Sequence, residues 1–221
     1  MSKAKGGPPA SGSGKQGDTL RSPMARGLRR GLLLVVVIIA AAAAVLAVRW
    51  LTSAEMMQDP AATIHAEFTL TDQDGRTVTA QDLAGRPMLL YFGYTYCPDV
   101  CPTELANISQ AMDILGSDAE AVQPVFITVD PERDTTEVMK AYLGHFDDGF
   151  VGLTGTPEQI AAAAKAAKVY YAKVEQPDSD VGYLMDHSGF VYLLGPDGRY
   201  LSHFRPNTDP QEIADRVREV I

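Results

Sequence analysis

The segment Tyr94-Thr-Tyr-Cys97-Pro-Asp-Val-Cys101-Pro-Thr103 holds the only two cysteines of the chain. Two sulfurs with three residues between them can close a disulfide, hold a soft metal ion, or simply pack. On a helix, positions i and i+4 share a face with Cα atoms about 6 Å apart, inside the disulfide range. A purely structural bridge there gains little. Closing so short a loop removes only about 2 kcal/mol of unfolded-state entropy, before strain is subtracted. Pro98 and Pro102 interrupt a smooth helix and hold the segment as a turn at a helix start. Unpaired N–H groups and the positive end of the helix dipole stabilise thiolates at such a place. Inert thiols, dithiol redox chemistry and metal binding all remain open on this segment alone.

The sulfurs need a frame, and the flanking sequence supplies one. The apolar run Met88-Leu-Leu-Tyr-Phe92 reads as a buried strand through Gly93, Pro102–Leu115 as a helix, and Gln123–Val129 as a second buried strand. Strand, helix and strand in succession form a βαβ unit, which places the two strands parallel in one sheet. Upstream, Ile64–Thr71 and Thr77–Thr79 have strand character around the turn signal Asp72-Gln-Asp-Gly75. Three stretches have the polar-x-x-Glu/Gln form of a helix start: Asp134-Thr-Thr-Glu137, Thr156-Pro-Glu-Gln159 and Asp209-Pro-Gln-Glu212. They predict helices beginning near 135, 157 and 210, the second reaching Lys168. Phe190–Leu194 and Tyr200–Phe204 flank Gly195-Pro-Asp-Gly198 as a hairpin, and Lys173–Tyr183 reads as an inserted segment. The order predicts an α/β, thioredoxin-like fold with an extra N-terminal β-hairpin, over residues 64–221.

Within that layout the spacing discriminates. Thioredoxin-type oxidoreductases use Cys-x-x-Cys, whereas this chain has Cys-x-x-x-Cys, a wider bite better suited to two sulfurs on one ion. Such enzymes also set a cis-proline before the strand that faces the cysteines. Here Asp186-His187-Ser188-Gly189 precedes that strand, so a histidine stands where the proline would be. Two thiolates and one imidazole suit copper in either oxidation state, or zinc. Structural zinc sites use four protein ligands, and no fourth Cys or His is apparent near this set. His65, His145 and His203 each stand alone and read as surface or capping residues, and Met185 reads as core. Tyr170-Tyr171 reads as packing. Asp130-Pro-Glu-Arg-Asp134 shapes the loop after the second strand and offers a docking face.

The bulk composition narrows the partners. Residues 1–30 carry seven Lys/Arg against one Asp, a balance of +6 within a net charge of -9, which leaves -15 on the remainder. An acidic body offers no basic stripe to neutralise phosphates, so nucleic acid is excluded as a partner. Gly31–Val48 is an uncharged run of 18 residues between Arg29-Arg30 and Arg49-Trp50. At 1.5 Å per residue it reaches about 27 Å, near the thickness of a bilayer core. A cleaved signal peptide would have a shorter apolar region and a small-residue site after it, which Val48-Arg49-Trp50 lacks. Residues 1–30 therefore read as a disordered basic cytoplasmic tail, 31–50 as a single transmembrane anchor and 51–63 as a linker. The localisation expected is the bacterial inner membrane, single-pass, with the C-terminal domain in the periplasm.

Three motifs in order give a more specific reading. Thr95-Tyr-Cys-Pro-Asp-Val-Cys-Pro102, Val129-Asp-Pro-Glu-Arg-Asp-Thr135, and Asp186-His-Ser188 leading into Tyr192-Leu-Leu-Gly-Pro-Asp-Gly198 resemble the Sco/SenC (PrrC-like) family from about Ile64 onward. Its members are membrane-anchored copper proteins that help assemble the CuA centre of cytochrome c oxidase. The resemblance implies that Cys97 and Cys101 are copper thiolates able to form a redox-active disulfide, with His187 as third ligand and Asp186 supporting it from outside the ligand set. It implies a metallochaperone whose partners are oxidase subunit II at its CuA site and another periplasmic copper donor or thiol reductase. The alternative is a thiol–disulfide oxidoreductase or redox sensor that keeps the CuA cysteines reduced and has no need of His187. A peroxiredoxin-type peroxidase is disfavoured by the second cysteine lying only four residues away.

Overall fold

The computed structural model describes residues 35–47, 64–177 and 182–221. Residues 35–47 form a helix, α1, exposed along its length, within a unit spanning Met1–Met57. Among the described residues no helix is long and apolar enough to cross a membrane. The expected anchor extends past α1 at both ends. Its remaining residues, the basic tail and the linker over 51–63 lie outside the described residues.

In the unit Gln58–Ile221 the elements run β1 (Thr69–Asp72), β2 (Thr77–Thr79), β3 (Met88–Gly93), α2 (Val100–Leu115) and β4 (Gln123–Thr128). They continue through α3 (Thr136–Leu143), β5 (Val151–Thr154), α4 (Pro157–Ala166), β6 (Tyr171–Glu175) and β7 (Tyr183–His187). β8 (Val191–Leu194), β9 (Tyr200–Phe204) and α5 (Pro210–Arg218) complete the chain. One sheet has the order β2-β1-β5-β4-β3-β8-β9, and β6 with β7 forms a second. β3 and β4 are buried at every position, which is why they read as continuous apolar runs. They pair in parallel from Met88↔Gln123 to Gly93↔Thr128, with α2 as the crossover, as the βαβ pattern requires. β8 lies antiparallel on the other side of β3, with Tyr91 opposite Val191.

That topology brings three connections to one end of the sheet. The chain leaves β3 after Gly93 into the cysteine segment, and it leaves β4 after Thr128 into Asp130–Asp134. The turn from β7 enters β8 at the same end, because β8 runs the other way. Ligand sites in open α/β sheets form at the carboxyl ends of parallel strands for this reason.

Several elements differ from the sequence reading. β1 starts at Thr69 rather than Ile64 because residues 64–66 bond to the β8–β9 turn instead. Tyr200 N–H donates to the Ile64 carbonyl at 3.1 Å and Ala66 N–H to that of Gly198 at 2.8 Å. β5 has four residues, too few for a periodic signal. The β6–β7 hairpin shows little apolar alternation because most of it is half-buried or exposed, so part of it read as an insertion. The three helix starts stand where their capping patterns put them, and Thr156 with Gln159 forms a full capping box. The cap of α3, however, is Thr135. Asp134 is turned inward to another task.

Gly93 ends β3 where the core is tightest. A Cβ there would lie 2.8 Å from the Phe126 ring and 3.0 Å from both the Cys101 sulfur and the Tyr91 ring. Gly93→Ala is therefore expected to lower stability by about 1–3 kcal/mol through overpacking. Urea unfolding of the variant at unchanged m-value reads this directly, and an unmoved midpoint would contradict it.

Candidate metal centre

Cys101 is carried into the interior by its place on α2. The buried side of that helix is Cys101, Glu104, Leu105, Ile108, Ala111, Met112 and Leu115, a stripe at helical spacing. Cys97 lies before the helix, in a turn closed by its own N–H donating to the Tyr94 carbonyl at 3.3 Å. Asp99, the N-cap residue, makes no side-chain cap. The Cys97 sulfur takes over that task and accepts the Cys101 N–H at 3.3 Å. The first sulfur is half-buried and the second fully buried, and both are free thiols.

His187, the last residue of β7, completes the group. Its Nε2 lies 3.4 Å from the Cys101 sulfur. Its Nδ1 lies 3.2 Å from the Ser188 carbonyl, which can only accept, so Nδ1 carries the proton and Nε2 turns its lone pair to the sulfurs. Tyr91 and Tyr94 hold the imidazole edge-on, with ring centroids at 6.2 and 5.9 Å. The ligand atoms of Cys97, Cys101 and His187 lie within 4.8 Å of one another, and among the described residues no other group of three such side chains converges.

The other candidates lie elsewhere. His65 bonds Glu67 at 2.8 Å, His203 bonds the Tyr200 hydroxyl at 2.6 Å, and His145 is exposed. Met185 is buried in the core. Asp186 is exposed, and strand alternation places it on the opposite face of β7 from His187.

The cysteine loop is held from behind by Asp134. This buried carboxylate accepts the Thr95 N–H at 3.0 Å and the hydroxyls of Thr95 and Thr128. Burial pushes its pKa up, and those three donors offset part of the effect. Sequence reasoning assigned Asp134 to a helix start and overlooked Tyr91, Gly93 and Tyr94 as site residues. Asp134 and the adjacent Thr135 can each cap a helix, and because Thr135 does so the carboxylate is free to serve elsewhere.

The two thiols differ in acidity. Cys97 is held down to about 4, first by the Cys101 thiol donating to it and then by the backbone N–H groups of Cys101 and Asp99, against an opposing effect of burial. Cys101 is pushed well above the usual thiol range, because its own proton is engaged by the Cys97 sulfur and because it is buried. A half-exposed thiolate beside a buried thiol and an oriented imidazole can bind a soft ion, or attack a disulfide.

A thioredoxin-like α/β domain with a Cys-x-x-x-Cys pair and a facing histidine defines the class. The SCO1/SenC family profile matches residues 56–221, and the chain belongs to that family. An SCO2-like protein of Rickettsia felis is 43% identical over 155 residues, covering 70% of this chain and 76% of that one. The structure of Bradyrhizobium japonicum ScoI with copper bound is 46% identical with a TM-score of 0.66, covering 72% of this chain and 99% of that one. BsSco, described with a disulfide switch and as a member of the Sco family of cytochrome c oxidase assembly proteins, is 27% identical. Its TM-score is 0.58, over 75% of this chain and 97% of that one.

The acidity difference has a measurable consequence. Limited iodoacetamide treatment at pH 6 is expected to label Cys97 and spare Cys101. A lowered pKa keeps the thiolate present as pH falls, so the Cys97 rate should stay level until the pH approaches about 4. Cys101→Ala removes the main donor and should slow labelling of Cys97 at pH 6. Peptide mass mapping reads both, and equal labelling of the two cysteines would count against the assignment.

Proposed function

We propose that this protein is a copper chaperone that binds one Cu(I) or Cu(II) through Cys97, Cys101 and His187. It delivers the ion to the CuA site of cytochrome c oxidase subunit II. The observation that carries the reading is the convergence of two sulfurs and an oriented imidazole nitrogen within 4.8 Å. The donor set is soft enough for Cu(I), and the imidazole adds a ligand that Cu(II) favours. The half-exposed Cys97 is the first contact for an incoming ion, with Cys101 and His187 behind it. The copper-bound state of the Bradyrhizobium relative supports the choice of metal, and the oxidase-assembly description of BsSco supports the destination.

Delivery at a membrane enzyme calls for a tether. The uncharged run 31–48 supports an anchor over 31–50, with the basic tail 1–30 in the cytoplasm, a linker over 51–63 and the copper domain of 64–221 in the periplasm. The second reading, reduction of the CuA cysteines by the dithiol, is favoured by the depressed pKa of Cys97 and by the disulfide switch of BsSco. It leaves the orientation of His187 without a purpose.

Titration of the reduced full-length chain is expected to give one copper per chain, with thiolate-to-Cu(II) charge-transfer absorption. His187→Ala should weaken Cu(II) binding by about 10-fold or more and Cu(I) binding much less, since two thiolates alone hold the softer ion. Equal loss of both would argue against the ligand assignment. Full biological activity of the same variant would favour the reductase reading. Separately, oxidation to a Cys97–Cys101 disulfide should abolish copper uptake, and full stoichiometry in the oxidised chain would contradict the proposal.

A further inference from the structure

The three ligands come from two bodies. Cys97 and Cys101 belong to the main sheet and α2, whereas His187 ends a separate two-stranded sheet. Something must hold that hairpin against the cysteine loop. The backbone of Ser188 ties the hairpin to Tyr170 at 2.9 Å, but that contact lies within the hairpin's own base. Met185 is buried in the core and the Tyr91 and Tyr94 rings flank the imidazole, and a further set of directed contacts between the two bodies runs through the loop after β4.

Arg133 stands at its centre. Its guanidinium lies 3.7 Å from the centroid of the Tyr183 ring, at the start of β7, and 4.7 Å from that of Tyr96, in the cysteine segment. The Tyr94 ring is 5.9 Å away. One amino group donates to the Tyr183 carbonyl at 3.1 Å, and Nε donates to the buried carboxylate of Asp130. Asp130 in turn accepts the Tyr183 hydroxyl at 2.9 Å. Lys173, on β6, covers the other ring contact of Tyr183 at 4.0 Å and pairs with Glu132 at 2.7 Å. A planar cation with several directed N–H groups can donate in its plane and stack on rings at once, which an ammonium cannot do.

We propose that Arg133 is a positioning residue for the third ligand: by clamping Tyr183 of the hairpin to Tyr96 of the cysteine loop, with Asp130 as its fixed point, it holds His187 within reach of the sulfurs. The same short loop serves both bodies. Asp134 fixes the cysteine loop through Thr95, and Arg133, one residue earlier, fixes the hairpin. The separation between imidazole and thiolates thus depends on this one loop as well as on the rings of Tyr91 and Tyr94.

The metal-binding arm of this inference rests on the copper reading above; a second arm uses the copper-free chain. In the reduced, copper-free, full-length chain with isotope-labelled histidine and tyrosine rings, an NOE is expected between His187 and Tyr94, whose rings touch edge-on. Arg133→Gln should abolish it and leave the Tyr91–Phe126 NOE of the core intact. The same variant should lose about 10-fold or more in Cu(II) affinity, the usual effect of removing a residue that orients a ligand. Cu(I) affinity and the dithiol–disulfide midpoint potential, which need only the two sulfurs, should hardly move. Arg133→Lys keeps a cation over the ring but cannot also hold Asp130 and the carbonyl, so it should recover only part of the loss. Should Arg133→Gln fail to fold, Tyr183→Leu removes the clamp from the half-buried hairpin side and is read the same way. An undiminished His187–Tyr94 NOE in the folded variant overturns the proposal whatever copper does. A lost NOE with unchanged Cu(II) binding upholds the clamp and counts instead against His187 as a ligand.

Discussion

The hydrogen bond from the Cys101 amide to the Cys97 sulfur is the contact on which the site is built. The first turn of a helix leaves N–H groups without intrahelical partners, and a sulfur that accepts one of them is held in place and in its thiolate form. Because Cys101 belongs to the buried stripe of α2, that one bond ties a half-exposed sulfur to a residue fixed by the core. The first sulfur sits before the helix and the second inside it. The acidity of the pair follows from the same geometry, since one proton is shared unequally between an exposed and a buried sulfur.

Around that bond the fold accepts polar groups that a core usually rejects. Asp130 and Asp134 are almost fully buried, and an isolated buried carboxylate is costly. Each is satisfied, Asp134 by Thr95 and Thr128 and Asp130 by Arg133 and Tyr183. Their positions explain the cost. Both lie in the connection leaving β4, at the carboxyl end of a parallel strand, next to the connection leaving β3 that bears the cysteines. Directed polar bonds fix the relative placement of two loops more sharply than apolar contact can. Aromatic rings complete the wall, with Tyr91 and Tyr94 from the β3 side touching the imidazole.

Much of this architecture is legible in the residues. Continuous apolar runs mark β3 and β4 because both strands are buried on both faces, and capping patterns mark α3, α4 and α5 because each helix needs its own N-terminal partners. The chemistry of the cysteine pair follows from type and spacing, and the buried position of Cys101 from the helical stripe it shares. Short or half-buried pieces are not legible. β5 is too brief to show a period, and β6 and β7 alternate weakly because they pack on only part of one face.

Local sequence therefore supplied the candidate donors, since thiol, imidazole and turn chemistry are properties of a few neighbouring residues. It also settled which two strands run parallel, because a helical crossover leaves no other arrangement. Only the folded chain decided that His187, 86 residues beyond Cys101, lies 3.4 Å from its sulfur on a hairpin held by Tyr183 and Arg133. It alone decided that Asp134 faces the cysteine loop instead of capping a helix. Contacts between segments far apart in the chain depend on where strands leave the sheet and on which side chains meet there. No local pattern carries that information.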